Sequence, residues 1–230
     1  MASQQIRPAQ HVSPNQDDRP AGSSIDMVVL HYTGMADAAA ALARLCDAKS
    51  KASAHYLIDE DGTVHALVPE IRRAWHAGAS AWRGRACVND RSIGIELVNP
   101  GHELGTRPYP EPQMAALEDL AAGILARHPV PPRNLVGHSD VAPTRKRDPG
   151  ELFDWRRLAR AGIGLWPGEV PRETAGEADA AGLLATYGYD TKDLRAAIIA
   201  FQRHFRPRRV DGAWDGETAA RLRRLLALAT

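Results

Sequence analysis

Strands alternate with helices between residues 26 and 138 of this 230-residue chain, and that alternation restricts the fold more than any other feature. Met27-Val28-Val29-Leu30 is a short apolar run that reads as a buried strand, with His31-Tyr32-Thr33-Gly34 at its carboxyl end. Ala38 to Lys49 reads as a helix, with Asp37 placed to cap it. The segments His55 to Asp59 and Thr63 to Val68 flank Glu60-Asp61-Gly62, a hairpin signal in which Gly62 supplies a positive φ. Ser92 to Val98 is a further strand, stopped by Asn99-Pro100-Gly101. Residues 112–127 carry Met114, Leu117, Ala121 and Ile124/Leu125 on one helical face, and Asn134 to Gly137 is a last short strand. The pattern predicts an α/β fold built on a central mixed β-sheet flanked by helices.

Composition narrows the class. A 44% hydrophobic chain can bury a real core, and no stretch approaches the roughly 18 consecutive apolar residues of a membrane span. Two cysteines, Cys46 and Cys87, cannot make a disulfide framework and are read as buried packing. The first 24 residues, broken by Pro8, Pro14 and Pro20, read as an extended arm without the apolar core of a secretory signal. As the sequence stands, a cytoplasmic protein is expected; an envelope location follows if a signal has been removed. The catalytic candidate spans residues 25–168, a Pro/Gly/Glu-rich linker 169–176, and a helical module 177–230. In that module Thr191 is expected to cap a helix bearing Leu194, Ile198, Phe201 and Phe205, and a second helix runs from Thr218 to Leu228. Residues 192–230 hold nine Lys/Arg against four Asp/Glu, so the net charge of +1 hides a basic C-terminal end. That end lacks the aromatic interleaving of a nucleic-acid binder, and no nucleic-acid partner is expected.

Chemistry concentrates at strand ends, where ligands collect in α/β sheets. His31 follows one buried strand, His138 follows another, and Asp148 comes ten residues later. Two imidazoles and one carboxylate are the ligand set of a catalytic zinc that keeps a fourth position for water. The spacing alone leaves a capping or surface role open for each histidine, because 31 and 138 lie far apart.

Six segments stand in order along the chain: Leu30-His31-Tyr32-Thr33, Ser53 to Gly62, Arg73-Ala74-Trp75-His76-Ala77-Gly78, Asn89 to Leu97, Gly137 to Pro143, and Arg145 to Gly150 followed by Phe153-Asp154-Trp155. In them the chain resembles the zinc-dependent N-acetylmuramoyl-L-alanine amidases of the amidase-2 type, relatives of phage T7 lysozyme and the peptidoglycan-recognition proteins. The resemblance implies zinc ligation by His31, His138 and Asp148. It also implies that Glu96 handles the proton of the attacking water and that Lys146 stabilises the oxyanion. Arg73, His76 and Asn89 match positions that line the substrate groove, and His55 reads as a core or supporting residue. In the phage enzymes and recognition proteins a catalytic tyrosine precedes the hairpin histidine; here that place is Ala54. Together with Asp148 where those branches commonly have Cys, this points to the Glu-using bacterial branch.

Residues 183–228 contain Tyr187-Gly188-Tyr189, Ala200 to Pro207, Val210-Asp211-Gly212 and Glu217-Thr218-Ala219. In these the segment resembles the three-helix peptidoglycan-binding domain appended to many cell-wall hydrolases. Peptidoglycan fragments or muropeptides are therefore the expected partners, and one Zn²⁺ the expected cofactor. The competing expectation is a recognition protein that binds peptidoglycan without turnover. His11, His65, His102, His128 and His204 receive no functional reading.

Overall fold

Side chains alternate along a strand, so each residue of the central strand belongs to one of two layers. The computed structural model describes residues 9–170 and 180–229. β1 (Ala9–Gln10) and β2 (Gln16–Asp18) precede β3 (Met27–Tyr32), which leads into α1 (Ala38–Leu45). β4 (Tyr56–Ile58), β5 (Val64–Ala66) and β6 (Arg72–Ala74) follow, then a ribbon of β7 (Ala81–Trp82) and β8 (Arg85–Ala86). β9 (Ser92–Leu97), α2 (Gly101–Leu104) and α3 (Glu111–Arg127) lead to β10 (Leu135–Gly137), from which α4 (His138–Val141) starts directly. After α5 (Trp155–Arg160), the C-terminal module comprises α6 (Ala180–Tyr187), α7 (Leu194–Phe205) and α8 (Gly216–Leu228).

The main sheet has the order β1-β5-β4-β9-β3-β10. β4, β9, β3 and β10 run parallel, β5 is antiparallel to β4, and β1 is parallel to β5, so the sheet is mixed as predicted. Leu30 pairs with both Ile95 and Gly137, and His31 with Glu96, which brings the carboxyl ends of β3, β9 and β10 level.

Val28, Leu30, Ile93 and Ile95 point to one side and pack with Met114, Leu117, Ala121 and Ile124 of α3. Met27, Val29 and Val136 point to the other, where Tyr187, Ile198, Phe201, Phe205 and Leu222 share a single core with them. The C-terminal module is therefore docked as the second covering layer of the sheet. Each fully buried aromatic or aliphatic side chain contributes about 1.5–3 kcal/mol, so this contact is a large part of the module's cohesion.

Local signals explain the element ends. Asp37 caps α1 as expected, accepting from the Ala40 N–H at 2.8 Å. The helix stops at Leu45 rather than Lys49 because Asp47 starts a separate turn by accepting from the Lys49 N–H. α7 is capped by Asp193, which accepts from the Ala196 N–H at 2.9 Å, and not by Thr191. Gly62 turns the β4–β5 hairpin at φ +89°. Cys46 is half-buried and Cys87 exposed, so neither is the buried packing residue expected of it.

The N-terminal arm is extended where it is described, but it is pinned down. β1 joins the sheet edge and β2 pairs with β6. Ser13 and Asn15 are buried, and the Asn15 amide donates to the carbonyls of Asp47 and Ala52, both at 2.9 Å. The Arg19 guanidinium donates to the carbonyls of Glu70, Asn89, Asp90 and Ser92. Residues 1–8 of the arm and 171–176 of the expected linker lie outside the described residues.

The same burial sets an acid sensitivity. His55 is fully enclosed; burial, then the charge of Arg19, lowers its pKa to about 3. The unfolded chain protonates this ring below about pH 6.5, the folded chain only near pH 3, so stability is complete above pH 6.5 and declines as the pH falls. Thermal unfolding of metal-free protein should show His55 alone costing about 2 kcal/mol at pH 5 relative to pH 7.5. His55→Asn should flatten that part of the profile, and an unchanged slope would contradict it.

Candidate metal centre

The level carboxyl ends of β3 and β10 place His31 beside His138, and the loop after α4 returns Asp148 to the same point. His31 Nδ1, His138 Nδ1 and Asp148 Oδ2 form a triangle with edges of 2.9, 3.0 and 3.0 Å. All three residues are buried, and they are a metal-ligand cluster by type and separation.

The outer nitrogens decide where the protons are. His138 Nε2 lies 3.1 Å from Ala77 O, a carbonyl that only accepts, so in the neutral ring Nε2 carries the proton and Nδ1 presents a lone pair. On the other side, the Ser92 hydroxyl donates to Val88 O at 2.7 Å and must therefore accept from His76 Nε2 at 3.0 Å. His76 Nδ1 is then unprotonated and accepts from His31 Nε2 at 3.0 Å, which leaves His31 Nδ1 bare as well. The network thus assigns both tautomers. Burial lowers His31 to about 4 and His76 well below its ordinary value. Two bare imidazole nitrogens and a carboxylate converge with no donor between them. This is a donor set that a cation satisfies, and the orienting partners on the outer nitrogens are those of a metal-binding histidine.

A groove of about 340 Å³ opens over this cluster. Glu96, in register with His31, lines it; its Oε2 is buried and has no hydrogen-bond partner. Burial pushes its carboxyl well above the ordinary carboxylate range, the charge of Asp148 adds to this, and Lys146 opposes it. Lys146 also lines the groove, half-buried and without a salt-bridge partner among the described residues. The five residues expected at the reaction centre are brought together.

Of the three expected groove residues only His76 lines the groove. Arg73 is taken up by Asp17 in a bidentate pair at 2.6 Å and by Asp90 at 2.6 Å, and it lies outside the groove lining. Asn89 uses its Oδ1 to accept from the His76 and Ala77 N–H groups, fixing the loop that presents Ala77 O to His138. His76 lines the groove but is 8% exposed, and both its ring nitrogens are engaged, one by His31 and one by Ser92. It lies flat over Gly94, where a Cβ would sit 2.4 Å from the ring, so only glycine fits. Sequence reading missed Ser92 as the end of this relay and missed Arg44 and Trp75 as groove residues. The Ser-x-Gly-x-Glu spacing of β9, which lines three residues along one face, was the available signal.

The N-acetylmuramoyl-L-alanine amidase family profile matches residues 21–151, and that of a peptidoglycan binding domain matches residues 156–222. N-acetylmuramoyl-L-alanine amidase AmiD of Escherichia coli (strain K12) is 42% identical over 224 residues, covering 85% of this chain and 80% of its own. The 1,6-anhydro-N-acetylmuramyl-L-alanine amidase AmpD of Enterobacter cloacae is 38% identical over 168 residues, covering 65% of this chain and 88% of its own. Among solved structures, E. coli AmiD with its substrate anhydro-N-acetylmuramic acid-L-Ala-D-gamma-Glu-L-Lys superposes with a TM-score of 0.81 at 40% identity, covering 96% of this chain and 93% of that one. AmpDh3 from Pseudomonas aeruginosa in complex with an anhydromuramic pentapeptide gives 0.78 at 37% identity, covering 89% and 92%.

The relay behind His31 makes a testable demand. His76→Phe keeps a ring over Gly94 but removes the acceptor, and should weaken metal binding by about 10–100-fold. Gly94→Ala should act in the same direction by displacing the ring. Competition with a metal-sensitive chelator measures both, and wild-type affinity in His76→Phe would exclude the relay.

Proposed function

This chain belongs to the N-acetylmuramoyl-L-alanine amidase family, and from that membership we propose a zinc-dependent hydrolase of the amide between N-acetylmuramic acid, or its 1,6-anhydro form, and L-alanine. One observation carries the reading: two bare imidazole nitrogens and a carboxylate converge beside Glu96, whose Oε2 has no partner. A nitrogen-rich, three-ligand set with one carboxylate suits zinc with an open position.

His31, His138 and Asp148 would hold the ion, which when bound polarises the scissile carbonyl and acidifies water. Glu96 takes the proton from the attacking water and returns it to the leaving amine. A carboxyl biased toward its protonated form by burial suits the second half of that task, and such transfers contribute about 10²–10⁴-fold. Lys146 offers an unpaired ammonium to the developing oxyanion, worth on the order of a few kcal/mol. Ala54 is fully buried and brings no hydroxyl to the groove, so Glu96 carries the proton chemistry.

The substrate class is supported by the anhydromuramyl peptides held by the two structural relatives, and by the groove itself. Arg44, Arg145 and Lys146 line it, while stem peptides carry carboxylates. Trp75 adds an apolar wall. No helix among the described residues is long and apolar enough to cross a membrane.

Zinc-loaded protein should release free stem peptide from an anhydro-muropeptide, detected by mass spectrometry. Binding without release would favour a recognition protein instead. Glu96→Gln should cut turnover by at least about 10²-fold while zinc remains bound; full activity in this variant would remove Glu96 from the mechanism. Preference for soluble muropeptide over intact sacculi would place the enzyme in cytosolic recycling, and efficient sacculus cleavage would place it in the envelope.

A further inference from the structure

The metal centre is held from behind by the C-terminal module. Asp140, two residues after His138 in α4, is fully buried, and its carboxylate is used three times. Oδ2 accepts from the Gly137 N–H and from His204 Nδ1, and Oδ1 accepts from the Tyr189 hydroxyl, each at 2.7 Å. Tyr189 follows α6 and His204 lies in α7, so two of the three donors come from the module. His204 is itself buried, its ring stacked against Trp155 at 3.6 Å and Phe205 at 3.7 Å between centroids. Its donor therefore points in one direction only.

A carboxylate out of water is tolerated only while its oxygens are bonded. The consequence falls on α4, a single turn that carries His138 and whose Ser139 N–H donates to Asp148 O at 2.9 Å. Anything that shifts Asp140 shifts two metal ligands. A looser ion pair starts one residue away: Arg203 Nε lies 3.5 Å from Glu151 without a hydrogen bond, and Glu151 meets His102 Nε2 at 3.0 Å. His102 Nδ1 in turn meets the hydroxyl of Tyr32, a groove-lining residue, at 3.0 Å.

We infer that Tyr189 and His204 are positioning residues of the metal centre: through Asp140 they set the place of His138, which makes the C-terminal module a working part of the catalytic site. This rests on the reading of His31, His138 and Asp148 as metal ligands.

The test uses the full chain. Tyr189→Phe removes one hydroxyl, His204→Phe keeps an aromatic ring but no donor, and His204→Asn restores a donor near the Nδ1 position. Leu225→Ala, in α8 and buried in the same core, controls for loss of stability. Zinc affinity by chelator competition and the thermal midpoint of the metal-free chain are measured for each. Tyr189→Phe and His204→Phe should bind zinc about 10–100-fold more weakly. His204→Asn should recover most of the affinity, and Leu225→Ala should lower the midpoint while leaving affinity near wild type. Wild-type affinity in both phenylalanine variants would overturn the inference, as would an equal loss in Leu225→Ala. If His204→Phe does not fold, Tyr189→Phe decides by the same measurement. A wild-type chain that binds no zinc would overturn the underlying metal reading, and this inference with it.

Discussion

Met27, Val29 and Val136 must be covered, because β3 and β10 present apolar side chains on both faces and neither face can be left to water. The α3 layer covers one face and the C-terminal helices the other. Once both layers are in place, β3, β9 and β10 are clamped in a parallel register whose ends are level, and the residues just beyond those ends cannot choose their neighbours. His31 is paired with Glu96 across β3 and β9, and its ring meets that of His138, the residue just beyond the end of β10. The reaction centre is thus a consequence of two-sided burial as much as of its own hydrogen bonds.

At those strand ends the protons are placed as carefully as the heavy atoms. Carbonyl oxygens of Val88 and Ala77, which can only accept, terminate two donor chains and leave lone pairs facing inward. Beside them Glu96 holds an unbonded, buried oxygen, and Lys146 has no salt-bridge partner among the described residues. Of the buried side-chain polar atoms without a hydrogen-bond partner among the described residues, Glu96 Oε2 is the one that lies in the groove over the ligand cluster.

The elements, and the strand-end positions of the candidate site residues, were legible in the sequence for a local reason. Strand and helix periods, the Asp37 cap and the Gly62 turn are each set by residues close together in the chain, and the metal-binding types stand at strand ends that periodicity can locate. The roles of Arg73, His76 and Asn89 were not legible, because what a side chain does depends on who reaches it first. Asp17, from the N-terminal arm, takes Arg73 across 56 residues, and His31 takes His76 across 45. Both are polar groups near the groove, and sequence alone cannot tell an available guanidinium from one already neutralised.

By itself the sequence determined the strand-helix order, the placing of candidate ligand types at strand ends, and the presence of a separate basic helical end. The tertiary structure decided that this end is the second face of the catalytic sheet. It also gave His204, silent in sequence, a buried partner 64 residues away in Asp140. Local patterns record which face of an element is apolar, not what will cover it. The covering is settled only when distant apolar faces and buried charges are satisfied together, and here that joint requirement ties the C-terminal helices to the metal centre.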